Sequence, residues 1–345
     1  MGTNMQFEWP SLPSVRSIST CTPKNIDGSI LTSSEPLILK GFGDSWPFVQ
    51  AGKISAEASL GYMQKYYSGV PITTCYGEPE TEGRIFYNEE MTGFNFKATR
   101  QPFENIAAEF LKQSANENPP TLYIPSTDIN HWFPDIDKEN NAGLDHLSPI
   151  KFVWAGNRTR IAAHYDFPSN IACCITGRRR FTLFPPEQVA NLYPGPLEFA
   201  PGGQEISLVD FAAPDFKKFP KFEQAIKAAQ VAELNPGDAL FLPGMWWHHV
   251  EGLDPINILY THWWKEPPLY LGRPTNALLH AVMSLRNLPA NQRKAWQSLF
   301  NYYVFDREEK DIENIVHNAR GMLNLPITET DVKKLRADLA KRLNN

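Results

Sequence analysis

Thr159-Arg-Ile-Ala-Ala-His-Tyr-Asp-Phe-Pro-Ser-Asn-Ile-Ala-Cys-Cys-Ile-Thr-Gly177-Arg-Arg-Arg-Phe-Thr-Leu-Phe184 contains three short apolar runs, 159–165, 170–175 and 180–184. They are separated by Asp-Phe-Pro-Ser and by a turn at Gly177. Runs of this length between turn residues read as β-strands. The pattern continues on both sides, at 150–155 before and at 231–234, 239–242, 248–251 and 256–263 after. About eight short strands within roughly 115 residues predict a sandwich, jelly roll or barrel. Residues 186–230 interrupt the series. They carry Pro194, Pro196, Pro201, Pro214 and Pro220 and read mostly as loop.

Outward from this core, residues 1–35 are polar and turn-rich, as expected of an extended arm. Pro36–Gly41 reads as a short buried strand, and Asp44-Ser-Trp-Pro47 as a chain break. Ser55 is placed to cap a helix running through Leu60, Met63 and Tyr67. Residues 70–76 and 84–87 read as strands and 103–113 as a helix. Short apolar pieces fill 121–155. After Pro267 the spacing becomes helical at 275–288, 291–304, 309–323 and 329–343, and Thr328 with Asp331 resembles a capping box. The predicted organisation is an N-terminal extension of strands and helices, 1–120, a β core, 121–270, and a C-terminal helical region, 271–345.

Of 345 residues, 42% are apolar, enough for a sizeable core. Lys+Arg 33 against Asp+Glu 38 leaves a net charge of −5. This argues against a broad nucleic-acid or anionic-membrane surface. Four cysteines are too few for a disulfide framework in a chain of this length. Met1–Cys21 shows no secretory core, and Gln6 stands where a myristoylation site beginning at Gly2 needs Ser or Thr. No run of about 18 apolar residues exists. A soluble protein of a reducing cytoplasm is expected. Gly-x-Gly-x-x-Gly after a strand, phosphate-loop, His-Glu-x-x-His and Gly-x-Ser-x-Gly motifs are all missing.

The chemistry-bearing signal is His164-Tyr-Asp166. On a strand, residues i and i+2 share a face, so an imidazole nitrogen and a carboxylate oxygen would stand side by side. A lone His-x-Asp in a chain with eight histidines arises readily by chance. Its weight comes from a second half: Pro236-Gly-Asp238, then Ala239–Leu242, then Pro243-Gly-Met-Trp-Trp-His-His-Val250. Two His and one carboxylate leave three metal positions open, as suits non-haem Fe(II) oxygenases. His248 and His249 are adjacent and face opposite ways on a strand. Alternation alone does not choose between them.

Together, His164-Tyr-Asp166, Gly177–Pro186, Leu192-Tyr-Pro194, Pro236-Gly-Asp238, Trp246–Val250 and Trp263-Trp264 resemble the cupin-like JmjC family, its asparaginyl hydroxylases in particular. The similarity is continuous over about 150–265. It extends weakly to Glu35–Gly41 with Trp46-Pro47, and the tail is alike only in position. The resemblance implies a double-stranded β-helix of the jelly-roll, cupin type, with Fe(II), 2-oxoglutarate as co-substrate, and O2. It implies His164, Asp166 and His248 as metal ligands. Arg179 stands where the family usually has Lys to hold the distal 2-oxoglutarate carboxylate, and a guanidinium can grip a carboxylate with two bonds. Three consecutive arginines are otherwise most often a solvated strand end. Tyr123, Asn170 and His262 match or neighbour co-substrate positions. Ile161 replaces a pocket Thr, and Trp264 would pack under the site or in the core.

The implied activity is hydroxylation of a protein side chain or small molecule, with succinate and CO2 as co-products and a homodimer formed through the C-terminal helices. The competing readings are a metal-binding cupin with other chemistry, or a catalytically silent peptide-binding scaffold. Substrate contacts are expected from the arm, 76–100 and 186–230, loops that carry specificity on a fixed scaffold.

Overall fold

The structure, a computed structural model, describes residues 7–265, 268–324 and 326–343. Gly2 and Gln6 lie outside the described residues. The chain divides into two compact units, Met1–Glu266 and Pro267–Asn345.

Among its described residues the first unit contains fourteen strands: β1 Ser17–Ile18, β2 Leu37–Leu39, β3 Ile72–Gly77, β4 Arg84–Ile85, β5 Phe96–Gln101, β6 Thr121–Asp128, β7 Ile150–Gly156, β8 Arg160–His164, β9 Ser169–Thr176, β10 Arg179–Phe184, β11 Gln230–Leu234, β12 Ala239–Leu242, β13 Trp247–Gly252 and β14 Asn257–Trp264. They form a nine-stranded sheet ordered β1-β2-β12-β9-β14-β7-β6-β3-β5 and a five-stranded sheet ordered β11-β10-β13-β8-β4. This is a mainly β, jelly-roll fold with flanking helices. The expected barrel is corrected in one respect: the two sheets face each other, and their hydrogen bonding does not close into a ring among the described residues.

Two-sided burial explains the composition of the central strands. Between the sheets, Ala172, Cys174, Leu240, Leu242 and Leu259 meet Phe181, Leu183, Ala232, Leu234 and Val250. Helices Pro47–Ile54, Ala56–Tyr66 and Phe103–Gln113 bury Phe48, Met63, Phe103 and Phe110 in the same cluster as Ile171, Cys173, Ile175, Ile258 and Tyr260, which cover the outer face of the large sheet. Phe184, Phe211, Phe222 and Trp247 pack with Trp9 and Leu12 of the arm on the outer side of the small sheet. A strand buried on both faces shows no polar alternation, as in β9, where all eight residues are buried.

The eight core strands appear within one residue or so of their expected bounds, and Ser55 caps its helix, its Oγ accepting from Ala58 N at 3.0 Å. Asp44–Pro47 does not simply break the chain. Pro47 opens helix Pro47–Ile54 at its first position, where a missing N–H costs nothing. The insertion contains a helix, Phe222–Ala228. In the second unit, 309–323 is not one helix but three short turns, Glu309–Ile312, His317–Ala319 and Gly321–Leu323. The apolar spacing there is helical, but Asn314, Ile315, Val316 and Asn318 are weak helix formers, and Val316 is extended (φ −58°, ψ 138°). Thr328 Oγ1 accepts from Asp331 N at 3.2 Å and caps Glu329–Leu343. No helix among the described residues is long and apolar enough to cross a membrane.

Candidate active site

Cross-strand register decides which histidine enters the space between the sheets. In β10, Phe181 and Leu183 belong to that inner core. His248 of β13 lies directly opposite Leu183, and His249 opposite Thr182. Directly opposed residues share a face, so His248 points inward. His249 points outward, with its ring 4.5 Å from Phe211.

His248 is also paired with His164, while Val250 pairs with Ile161. Two residues therefore lie between Ile161 and His164 where the partner strand has one. This is a β-bulge. Ile161 packs toward the inner core, whereas Ala162 and Ala163 both join clusters outside it. The extra residue turns His164 back inward. Asp166 lies beyond the end of β8, so its approach to His164 is set by the 165–168 connection and not by strand alternation.

The donors converge. One atom each from His164, Asp166 and His248 lies within 4.8 Å of the others. The two imidazole centroids are 4.2 Å apart, and His248 Nε2 is 3.5 Å from Asp166 Oδ2. Each ring is oriented by a backbone carbonyl two residues earlier: His164 Nδ1 is 2.9 Å from Ala162 O and His248 Nδ1 is 2.9 Å from Trp246 O. A carbonyl only accepts, so Nδ1 carries the proton and Nε2 keeps its lone pair. Outer partners of this kind orient metal-ligating histidines. Burial, then the neighbouring His248, push the His164 pKa down to about 4, which favours the neutral, ligating imidazole. Burial raises the Asp166 carboxyl pKa, but His248 and His164, when protonated, outweigh it and hold it below the usual range. Two imidazoles and one carboxylate, oriented in this way, fit a divalent iron with open positions.

Arg179 opens β10 directly after the Gly177 turn. Gly177 has φ +68°, and a Cβ there would lie 2.4 Å from Ile256 O, so the turn requires glycine. Arg179 sits on the same strand face as Phe181 and Leu183, is 3% exposed, and its Nε has no partner. Its Nη2 reaches only Asn257 O, at 3.4 Å. No carboxylate lies within ion-pair distance of it among the described residues. By contrast Arg178 pairs with Asp254 and Arg180 with Glu233. Burial lowers the Arg179 pKa, with Tyr123 and Cys174 favouring the charged form. The middle arginine is thus a buried cation and the flanking two form surface ion pairs.

Tyr123 packs with Trp154 and Ile161. Burial raises its pKa, so the phenol stays a donor. Asn170 lies in register with Leu242, an inner-core residue, and its Oδ1 accepts from His262 N at 3.2 Å. His262 itself is displaced from the expected site. It pairs with Ile171 on the helix-covered face, with its ring 4.4 Å from Tyr260 and 6.1 Å from Trp46. Burial, then Lys151, push its pKa down to about 3. The neighbours that face inward are Thr261, which accepts from Trp154 Nε1 at 2.9 Å, and Trp263, whose ring is 5.8 Å from Trp154. Trp264 stacks on Phe241 at 6.1 Å and belongs to the core. Thr261 and Trp263 are not legible in the sequence as wall residues, because β14 is buried on both faces and shows no polar alternation; Trp154 lies on the neighbouring β7. His262→Leu is expected to leave Co(II) affinity within about twofold of wild type, whereas loss of a ligand or of a hydrogen-bonded outer partner would cost about tenfold or more. Calorimetry of the two proteins checks this.

A cupin-like domain model matches residues 23–270. The chain belongs to the cupin-like JmjC family. This JmjC protein is 33% identical over 270 residues to HSPB1-associated protein 1 of Rattus norvegicus, covering 76% of this chain and 55% of that protein. It is 32% identical over 164 residues to Lysine-specific demethylase JMJ31 of Arabidopsis thaliana, covering 45% and 29%, and 28% identical over 249 residues to Lysine-specific demethylase 8 of Xenopus tropicalis, covering 68% and 49%. The chain spans about half the length, or less, of these curated relatives. Among solved structures, YcfD, a ribosomal oxygenase from Escherichia coli, aligns with a TM-score of 0.41 at 16% identity, covering 93% of this chain and 67% of that one.

Proposed function

We propose that the chain is an Fe(II)- and 2-oxoglutarate-dependent dioxygenase that hydroxylates a protein side chain, with succinate and CO2 as co-products. The observation that carries this reading is a buried guanidinium without a carboxylate, Arg179, in the same inner core as a convergent His164, Asp166 and His248. An uncompensated buried cation is costly unless an anion completes it, and a dicarboxylate bound near a metal supplies one.

His164 Nε2, His248 Nε2 and an Asp166 oxygen would hold the iron. Arg179 would take the distal carboxylate of 2-oxoglutarate with its free Nε and an Nη, and Tyr123 would donate its hydroxyl to the same group. Asn170, whose Oδ1 is engaged by His262 N, has its side-chain N–H groups left to line the pocket. Iron with 2-oxoglutarate and O2 supplies the oxidation of a substrate C–H bond. Trp154, Ile161 and Trp263 would exclude water and hold the co-substrate in register. Ile161 offers no hydroxyl, so Arg179 and Tyr123 would provide the polar grip alone. The relatives' names, an HSPB1-associated protein and lysine demethylases, support a protein over a small molecule as substrate. The four cysteines are free, in keeping with a cytoplasmic setting.

Anaerobic titration of the Fe(II)-loaded protein with 2-oxoglutarate tests the reading. A metal-to-ligand charge-transfer band is expected in wild type and not in His164→Ala. Metal binding without the band would point to a cupin of different chemistry, and no metal binding to a silent scaffold.

Self-association is part of the proposal. The second unit exposes Leu278, Leu279, Met283, Trp296, Leu299, Tyr302 and Phe305, each at least 43% accessible. Apolar faces on this scale normally meet a partner, and a second copy through the C-terminal helices is the reading we adopt. Light scattering of the full chain should give twice the monomer mass of 39.1 kDa; a monomer refutes it.

A further inference from the structure

The insertion between β10 and β11 does not merely cover the fold. Its return arm runs antiparallel along β8. Asp210 Oδ1 accepts from Arg160 Nη1 at 3.0 Å, Ser207 N donates to Ala163 O at 2.7 Å, and Glu205 Oε1 accepts from the Tyr165 hydroxyl at 2.6 Å. The arm is itself braced: Gly195 N donates to Ile206 O at 2.9 Å, and Ser207 Oγ donates to Leu192 O at 2.6 Å. Two of these contacts fall at critical positions. Ala163 is one of the two residues of the bulge that turns His164 inward. Tyr165 is the single residue between His164 and Asp166.

From this we infer that Tyr165 and Glu205 are positioning residues: the insertion clamps the backbone between the two donors and thereby sets their separation. The inference rests on the metal-site reading above. The bond is a phenol donating to a carboxylate, short and charge-assisted. Tyr165 is 8% exposed and its ring packs 4.9 Å from Trp247, the residue preceding His248. The Tyr165 ring thus lies against the residue before His248, while its own backbone joins His164 to Asp166. Burial, then the Glu205 hydrogen bond, raise the Tyr165 pKa, so the phenol remains the donor.

The test is Co(II) affinity by calorimetry and the Co(II) ligand-field spectrum, on the full chain. Wild type, His164→Ala, Tyr165→Phe, Glu205→Ala and Glu205→Gln are compared. Loss of an outer partner typically weakens a metal site 10–100-fold. Tyr165→Phe and Glu205→Ala are expected to weaken Co(II) about tenfold and to alter the spectrum. Glu205→Gln, whose amide oxygen still accepts from the phenol, is expected to stay within about threefold. Affinities and spectra unchanged in Tyr165→Phe and Glu205→Ala, with His164→Ala defective, overturn the inference alone. Glu205→Gln as defective as Glu205→Ala also overturns it, since charge rather than the hydrogen bond would then matter. Wild type failing to bind Co(II), or binding independent of His164, removes the metal reading and the inference together. A fall in thermal stability with metal affinity unchanged assigns the pair to packing and overturns the inference.

Discussion

His248→Ala is expected to abolish high-affinity metal binding and all iron-dependent turnover, whereas its neighbour His249→Ala keeps both. The two residues have the same side chain and adjacent positions, so the contrast isolates direction. His248 is opposite Leu183 and His164, with its Nε2 beside the Asp166 carboxylate. Removing it leaves two donors, and affinity should fall by more than the roughly 10–100-fold that losing an outer partner costs. His249 fills space against Phe211 and has an unpartnered Nδ1. Its removal should cost about 1–3 kcal/mol of stability, the usual range for emptying a buried position. Calorimetric Co(II) titration and thermal denaturation of both variants check this. Equal metal affinities would show that the register argument is wrong.

The second large effect concerns Arg179. Arg179→Leu is expected to raise the stability of the ligand-free protein by about 1–3 kcal/mol, because it removes a buried cation that has no carboxylate partner. The same variant should lose the stabilisation that 2-oxoglutarate confers. Truncating one member of a buried charge pair costs about 2–5 kcal/mol, or a Kd roughly 30-fold or more higher. At a ligand concentration 100 times the wild-type Kd, wild type gains about 2.7 kcal/mol and the variant at most about 0.9 kcal/mol. Arg179→Lys restores the charge but offers a point donor on a shorter reach, so it should recover only part of the affinity. Thermal melts with and without 2-oxoglutarate give both numbers. A variant that is less stable without ligand and still responds to 2-oxoglutarate would assign Arg179 to structure instead.

Much of this site is legible in the chain itself. Strand positions follow from short apolar runs between turn residues, because a jelly roll requires a reversal every few residues. Gly177 is recognisable since the turn before Arg179 needs a positive φ. His164-Tyr-Asp166 gains its weight from Pro236-Gly-Asp238 and the paired histidines that follow on later strands, a combination that chance supplies less readily than a lone His-x-Asp. What is not legible comes from two sources. One is parity in strands buried on both faces. Nothing in Tyr260-Thr-His-Trp-Trp264 distinguishes an inner from an outer residue, and His262 turns toward Trp46 while Thr261 and Trp263 face inward. The other is irregularity. The bulge at Ala162-Ala163 breaks alternation, and helix Pro47–Ile54 forms because Pro is favoured at a helix start although it halts most other structure.

The sequence by itself determined the inventory: a β-rich core, a His-x-Asp and a His-His pair on separate strands, and a run of three arginines after a glycine turn. Local spacing is enough for that, since each feature is confined to a few residues. Only the tertiary structure decided which of each set the proposed site would use. His248 rather than His249 follows from its register against Leu183, and Arg179 rather than its neighbours from having no carboxylate within ion-pair distance among the described residues. The clamp of Glu205 on Tyr165 joins residues 40 apart in the chain. These are outcomes of cross-strand pairing and of burial. Both depend on which distant segments come together, information that no local stretch contains.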